Sequence, residues 1–180
     1  VETQGGDATT RPMKGTVARG ADAAGDAAAM AVLRADPKQR AENLMIVDLL
    51  RNDLGRVSEI GSVAVPKLFS VETYPTLHTL TSEVTGRLRP GLSAGELIRA
   101  MFPCGSVTGA PKLRAMEIIR ELEPWPRDAY TGSIGAITPN GDLRFNVAIR
   151  TATLLPDGRG VYGVGGGIVV DSDPASEFAE

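Results

Sequence analysis

The sequence is poor in several of the residues that would identify a protein class at once. Its 180 residues include a single cysteine, Cys104, and a single histidine, His78. One cysteine excludes an intramolecular disulfide and is typical of a reducing compartment, so we expect a cytoplasmic protein. Aromatic residues make up 4% of the chain and the net charge is −3. The sequence lacks the basic field that attracts a phosphate backbone, and we expect no nucleic-acid partner.

Long hydrophobic runs are missing as well. No apolar stretch approaches the roughly 20 residues of a membrane-spanning helix, and no basic segment followed by an apolar one opens the chain, so we expect no membrane partner. With 42% hydrophobic and 23% charged residues, the composition indicates a globular protein with one core or part of a larger one. The first residue falls in a strand-like or turn-like segment and the last in a short helix, so we expect a fragment of a longer chain.

The clearest local pattern lies in residues 36–57, which predict a helix. Asp36 can cap it, Pro37 suits the first helical position, and Gln39 can reach back to the Asp36 N–H. The apolar residues at helical spacing, which predict its buried side, are Leu44, Met45, Leu49 and Leu50. Glu42 falls on that same side, where a carboxylate is costly unless a cationic or hydrogen-bonding group meets it.

The rest of the chain predicts an α+β fold. We expect a loop over residues 4–11, a turn over 12–16 that carries Lys14, helices within 20–35, 93–101 and 111–123, short strands over 57–69 and a strand over 74–88. The buried stripe expected for the third of these helices is Leu113, Met116, Ile119 and Leu122. The last third predicts three strands, 132–138, 143–155 and 160–170. Strands joined by such short turns are antiparallel, so we expect an antiparallel sheet covered by helices.

Acidic residues near the end of the chain indicate a cation site. In the run SDPASEFAE, Glu177 and Glu180 fall on one face of a short predicted helix. Together with Glu42 they form a candidate carboxylate cluster for a hard divalent cation such as Mg²⁺, which prefers oxygen ligands. Taken alone, Glu177 and Glu180 fit a solvated helix face better than a cation site, because helical acids usually face water.

Two glycine-rich segments do not indicate a nucleotide site. GSVTGAPK lacks the Gly-Lys-Ser/Thr ending of a phosphate loop, and GVGGGIVV leads into a predicted strand instead of a helix. The first segment can still present backbone N–H groups to a carboxylate at the start of a helix, or it can be a tight turn packed on the core.

Three side chains remain as candidates for anion binding or catalysis. Arg150 lies in an apolar predicted strand, where a buried guanidinium needs an anionic partner, and Tyr130 can offer its hydroxyl to the same anion. His78 lies among apolar residues and threonines, where a lone histidine is either a hydrogen-bonded core residue or a group that titrates in a useful range. The alternative for Lys14 is an ordinary surface lysine.

Together these segments resemble the chorismate-utilising enzymes, which include the anthranilate, isochorismate, salicylate and aminodeoxychorismate synthases. RAENLMIVDLLRNDLGRV, FPCGSVTGAPKLRAMEIIRELEP, AIRT and GGGIVVDSDPASEFAE occur in the order and spacing of that family, and the match runs from PMKGT to the end of the chain. The resemblance implies an anthranilate synthase component I-like fold, of which residues 1–180 are the C-terminal part of a catalytic domain truncated at both ends. PMKGT is similar to the aminodeoxychorismate synthase form PIKGT, and anthranilate synthases carry alanine at the position of Lys14.

The resemblance also implies residue roles. Glu42 and Glu180 match Mg²⁺ ligands, with Glu177 beside them, and the ion holds the ring carboxylate of the substrate. Lys14 matches a proposed nucleophile, and His78 matches a histidine near the departing hydroxyl. The positions that match substrate-binding residues are Thr108, Gly109, Tyr130, Arg150, Gly165, Gly166 and Gly167.

The activity implied by the resemblance is the amination of chorismate to 4-amino-4-deoxychorismate, on the route to p-aminobenzoate and folate. Ammonia would come from a glutamine amidotransferase partner. The alternatives are an anthranilate synthase component I or another chorismate enzyme, and a non-catalytic remnant that binds chorismate. Met13, Gln39 and Cys104 depart from the usual family residues. A general-acid glutamate of the family lies upstream of PMKGT, and a substrate-contacting lysine follows Glu180, so we expect residues 1–180 alone to be inactive.

Overall fold

The expected α+β class is confirmed by the structure, a computed structural model that describes residues 1–170 and 172–179. The strands are β1 (Glu2–Gln4), β2 (Asp7–Thr10), β3 (Met13–Ala18), β4 (Ala64–Thr73), β5 (Leu77–Arg87), β6 (Gly135–Ile137), β7 (Leu143–Phe145), β8 (Ala152–Leu154) and β9 (Gly160–Tyr162). The helices are α1 (Ala23–Ala35), α2 (Pro37–Gly55), α3 (Ala94–Met101), α4 (Gly105–Thr108), α5 (Lys112–Leu122) and α6 (Pro174–Ala179). No helix within the described ranges is long and apolar enough to cross a membrane.

Strand β5 is the centre of an antiparallel sheet of seven strands. It pairs with β4 along one edge, and β2 and β3 pair with successive parts of its other edge. From β2 the sheet continues through β1 and β7 to β6, while β8 and β9 form a separate hairpin. The sheet therefore joins the first 90 residues to strands from the last third of the chain.

Helix α2 begins where the sequence predicts. The Asp36 carboxylate accepts hydrogen bonds from the N–H groups of Lys38 at 2.8 Å and Gln39 at 3.1 Å. The prediction that the Gln39 side chain bonds back to the Asp36 N–H is wrong, because this N–H donates to the Val32 carbonyl at the end of α1. The Gln39 side chain lies instead against Gly15 in β3, where an added Cβ would be 2.8 Å from its amide oxygen.

The buried face of α2 differs from the expected one. Leu50 is buried as predicted, but Leu44 and Met45 are 43% and 41% exposed. The helix turns Asn43 toward the sheet, where its amide oxygen accepts a hydrogen bond of 2.6 Å from the Ser82 hydroxyl. Each following residue is rotated by about 100°, so the next two side chains point away from β5. The buried residues of α2 are Asn43, Ile46, Val47, Leu50, Asp53 and Leu54.

The core lies between this face of α2, helix α3 and the sheet. Its apolar members outside α2 are Ala8, Val57, Val84, Leu97, Ala100, Met101 and Leu143. Ser93 caps helix α3 as predicted: its hydroxyl accepts a hydrogen bond from the Glu96 N–H, and the Glu96 carboxylate accepts one from the Ser93 N–H. The cap fixes the start of the helix whose residues 97–101 close the core.

Three predictions for the first 70 residues are wrong. Residues 4–11 form parts of a hairpin, not a loop, because Gly5 and Gly6 adopt positive φ angles of 58° and 90° and turn β1 into β2. Residues 13–18 form a strand instead of a turn, so Lys14 lies in β3. The short strands expected over residues 57–69 are replaced by β4, which runs through Pro66 without a break, and its pairing with β5 shifts register around that residue.

The last third is less regular than expected. The predicted strand 143–155 is divided into β7 and β8, with Arg150 between them at a positive φ of 51°. The predicted strand 160–170 is regular only over β9. Helix α5 has the expected bounds but no buried residue, and Leu122 of the expected apolar stripe is 75% exposed. Final helix α6 begins at Pro174 as predicted.

Candidate active site

The Glu42 carboxylate in α2 forms an ion pair with Lys14 in β3. The Lys14 ammonium nitrogen lies 4.0 Å from Glu42 Oε2, and each side chain is 26% exposed. Lys14 lies in the part of β3 where the pairing with β5 shifts between Met13 and Thr16. This irregular strand and the first turns of α2 therefore bring an amine and a carboxylate together at the border between sheet and helix.

The glycine segment, residues 163–167, passes close to three of the predicted site residues. A methyl carbon added to Gly167 would lie 3.6 Å from Lys14 Nζ. A methyl carbon on Gly166 would lie 3.2 Å from Glu177 Oε2, and one on Gly165 would lie 3.0 Å from the Tyr130 hydroxyl oxygen. The lack of side chains thus lets the backbone approach an amine, a carboxylate and a phenol within three successive residues.

The carboxylates near this segment have the chemistry of a magnesium site but do not form a complete one. Glu177 in α6 accepts a hydrogen bond of 2.6 Å from the Ser172 hydroxyl. Within residues 1–170 and 172–179, no group of three histidines, cysteines or acids is placed to hold a metal ion. Glu180, the third predicted ligand, lies outside the described residues. Glu177 approaches the glycine segment directly, whereas Glu42 lies next to Lys14, which also approaches it, and both acids offer the oxygen ligands that Mg²⁺ prefers.

Thr108 and Tyr130 line one cavity of about 450 Å³, together with residues around Trp125 and Arg127. Thr108 ends the short helix α4, and its hydroxyl donates to the Cys104 carbonyl at 3.3 Å. Gly109 follows at a φ of 124°, a conformation that other residues rarely adopt. The backbone around Thr108 and Gly109 therefore has a defined shape. The cavity connects it with Tyr130, whose hydroxyl faces the glycine segment.

Arg150 does not have the surroundings predicted for it. The expectation of a buried strand arginine is wrong, since the residue is exposed and lies outside the strands. The preceding chain is fixed by Ala148, whose N–H donates to Gly132 and whose carbonyl accepts from Thr131, both at 2.9 Å. After Ala148 the backbone turns toward solvent, so the Arg150 side chain is exposed.

His78 is buried, and both of its ring nitrogens have partners. Nε2 lies 3.0 Å from Asp26 Oδ1, and Nδ1 lies 2.9 Å from the Thr73 hydroxyl. The Arg19 guanidinium, followed by His78 and the Gly20 N–H, holds the pKa of the Asp26 carboxyl well below its usual range. An ionised carboxylate only accepts, so Nε2 donates to Asp26, and in the neutral ring Nδ1 accepts from Thr73.

His78 in β5 lies opposite a different part of β3 from the part that carries Lys14. It pairs with Val17, three residues along β3 from Lys14, and its side chain contacts α1. The geometry is that of a hydrogen-bonded core histidine, one of the two alternatives that the sequence left open. A role near a departing hydroxyl stays a prediction.

A buried charge pair between α2 and α5 was not predicted from the sequence. Asp53 of α2 is 2% exposed, and its carboxylate accepts a hydrogen bond from the ammonium of Lys112, the first residue of α5. Two signals were available: an acid in the last turn of one helix and a lysine in the first turn of another are both unfavourable for the helix dipole. The sequence does not show that the two residues meet.

Comparisons with known proteins identify the family of this chain. The sequence profile of the chorismate binding enzymes matches residues 1–180. Aminodeoxychorismate synthase component 1 of Klebsiella aerogenes is 53% identical over the whole chain, which spans 40% of that protein. Anthranilate synthase component 1 of Streptomyces coelicolor is 48% identical over the whole chain, which spans 35% of it.

A solved structure is similar over almost the same range. The crystal structure of anthranilate synthase component I from Streptococcus pneumoniae superimposes with a TM-score of 0.83 and 40% identity, covering 99% of this chain and 39% of that one. The predicted fold is thereby confirmed by both architecture and neighbour. Since the family profile extends over every residue and the fold agrees with it, this chain belongs to the chorismate binding enzyme family.

Proposed function

We propose that this chain is the C-terminal part of the catalytic domain of an aminodeoxychorismate synthase, which aminates chorismate to 4-amino-4-deoxychorismate. The names of its relatives support the substrate and reaction, since the Klebsiella aerogenes protein at 53% identity is an aminodeoxychorismate synthase component 1. The observation that carries the proposal is the placement of Lys14, whose amine lies 4.0 Å from the Glu42 carboxylate and beside the glycine segment.

In this proposal Lys14 is the nucleophile. Its neutral amine adds to the ring carbon beside the ring carboxylate as the ring hydroxyl leaves, and the amine loses a proton. Ammonia then attacks the carbon that lost the hydroxyl and displaces the lysine, which regenerates the amine. An amine attacks only through a free lone pair, so in this proposal Glu42 exchanges Lys14 for another cation before attack.

Mg²⁺ is a suitable exchange partner. Glu42 and Glu177 would hold the ion, together with Glu180, which lies outside the described residues. Such an ion would supply Lewis-acid polarisation of the ring carboxylate and so would assist loss of the hydroxyl. The Tyr130 hydroxyl and the backbone of the glycine segment would bind the pyruvyl carboxylate at the other end of the substrate.

The remaining parts of the proposal concern the cellular setting. A relative named component 1 implies a second component, and a glutamine amidotransferase would supply the ammonia. The product would serve p-aminobenzoate and folate synthesis. A single cysteine supports a cytoplasmic location.

The test uses the full-length gene product with chorismate, ammonium and Mg²⁺, and identifies the product by liquid chromatography with mass spectrometry. We expect 4-amino-4-deoxychorismate. Anthranilate would overturn the proposal in favour of an anthranilate synthase, the second candidate, which the 48% identical Streptomyces coelicolor relative supports. Chorismate binding without turnover would indicate a non-catalytic protein.

Lys14 is tested separately by omitting ammonia. Chorismate should then leave a covalent adduct that peptide mapping places on Lys14, and added ammonia should discharge it. Lys14→Ala should lose the adduct and depend more steeply on ammonia. Lys14→Arg is the matched control, because it keeps the positive charge beside Glu42 but should lose most of the rate. Wild-type rates in Lys14→Arg, or an adduct on another residue, would exclude Lys14 as the nucleophile.

A further inference from the structure

One face of helix α2 carries three residues that contact other elements at the candidate site. Leu49 and Asp53 follow Glu42 by seven and eleven residues within the helix. At about 100° per residue, each returns to within about 20° of the Glu42 direction. A single stripe along α2 therefore carries the carboxylate next to Lys14, an apolar side chain and the buried acid Asp53.

Leu49 and Asp53 of this stripe hold residues 105–111, which consist of the short helix α4 and the turn after it. These residues, called the loop, include Thr108 and Gly109. At its start Gly105 packs so closely on α2 that any side chain there would overlap Leu49 Cδ2. Just past its end, Lys112 donates to the buried carboxylate of Asp53, with only 15% of the lysine side chain exposed. The loop is thus attached at both ends to the helix face that carries Glu42.

The Asp53–Lys112 ion pair is not explained by a contribution to the stability of either helix. Asp53 lies in the last turn of α2, where the helix dipole disfavours an acid, and Lys112 opens α5, where it disfavours a cation. A buried ion pair is also weak evidence for stability, because removing two charges from water offsets most of their attraction. What the pair does provide is a bond of fixed geometry between residues 59 positions apart.

We propose that the Asp53–Lys112 ion pair is a positioning device that holds the Thr108–Gly109 loop on the face of α2 that carries Glu42 and so sets the affinity for chorismate. The inference rests on the proposed function to the extent that this loop contacts the substrate. The two side chains contact each other and are 15% and 2% exposed, so we assign neither of them to the reacting atoms. Their effect should therefore fall on chorismate binding and not on the use of ammonia.

The test measures steady-state kinetics of the full-length gene product and the dissociation constant for chorismate by calorimetry. The main variant is the double substitution Asp53→Leu with Lys112→Met, which removes both charges and leaves no buried ion unpaired. We expect it to fold, to raise both the KM and the dissociation constant for chorismate about tenfold or more, and to change the KM for ammonia less than about twofold. Lys112→Arg should stay near wild type, because it keeps a cation that can reach Asp53.

Asp53→Asn carries the test if the double variant fails to fold, since it removes the ion pair at nearly constant side-chain volume and should also weaken chorismate binding. Arg114→Met is the matched control on the same helix: it breaks the exposed pair with Glu117 and should change nothing. Wild-type affinity for chorismate in the double variant, or in Asp53→Asn, would overturn the inference. So would an activity loss that follows only the fraction of folded protein. An anthranilate product would refute the proposed function and leave the affinity measurement interpretable.

Discussion

The core region, residues 1–101, and the outer region, residues 102–179, use their apolar residues in opposite ways. Of the described hydrophobic residues that are buried, only Leu143 and Ala148 belong to the outer region. In that region Trp125 is 79% exposed and Phe178 is 96% exposed. The core region thus has the interior of a folded domain, whereas the outer region leaves large apolar side chains without cover.

The candidate site lies where these regions meet. The core region contributes Lys14 and Glu42, and the outer region contributes Tyr130, Glu177 and the glycine segment. Helix α2 belongs to the core and also holds the loop at residues 105–111. The stable region therefore supplies a frame on which the weakly packed region is placed, and the predictions below test that division.

The largest effect is expected from a cavity in the core. Leu54 is fully buried in α2, so Leu54→Ala should lower the free energy of unfolding by about 3 to 4 kcal/mol. Leu122→Ala, in the exposed stripe of α5, should change it by less than about 0.5 kcal/mol. Urea denaturation of the full-length protein measures both. Equal losses would show that the outer region packs as well as the core.

The next effect concerns the carboxylate at the meeting point. Glu42→Gln removes the charge that faces Lys14, and we expect activity with Mg²⁺ to fall roughly 100-fold, about 2.7 kcal/mol of transition-state stabilisation. The fold should stay intact, because the side chain is not part of the core. Glu117→Gln, an exposed acid in α5, is the control. Unchanged activity at saturating Mg²⁺ would refute the assignment of Glu42.

The smallest effect is a pH dependence of the core region. The folded state holds the pKa of Asp26 below its unfolded value of about 3.9, so the ionised carboxylate stabilises the fold above that pH and the contribution is lost on acidification. Asp26→Asn should therefore lower the urea midpoint at pH 7, with a difference from wild type that shrinks below about pH 4. Arg19 and His78 are the charged or titratable groups that Asp26 contacts. A difference that grows on acidification would contradict this sign.

Local signals predicted the helices better than the strands. The caps at Asp36 and Ser93 act within three residues, and both helices begin where the sequence indicates. Strand β1 was missed because it has three residues and is completed by β7, with the Leu143 N–H donating to the Thr3 hydroxyl across 140 residues. No local pattern records such a partner. The inner face of α2 was misjudged for a related reason, since polar Asn43 turns inward to bond with β5.

The candidate site was predicted mainly by resemblance, and geometry supports part of it. The structure brings Lys14, Tyr130 and Glu177 to the glycine segment, although nothing in their spacing shows that they meet. Arg150 was expected to be buried because its neighbours are apolar, but the turn after Ala148 carries it to the surface. The Asp53–Lys112 pair was not predicted, since each residue alone resembles an ordinary helix charge.

The pairing of β1 with β7 has a consequence for how the chain is made. After Thr3 leaves the ribosome, 140 further residues have to follow before Leu143 can bond to it. At about 5 to 20 residues per second this interval lasts about 7 to 28 seconds, whereas a hairpin such as β1–β2 forms in about 1 to 10 microseconds. During this interval the edge of β1 that β7 covers in the fold lacks that partner and is open to pairing with a neighbouring nascent chain.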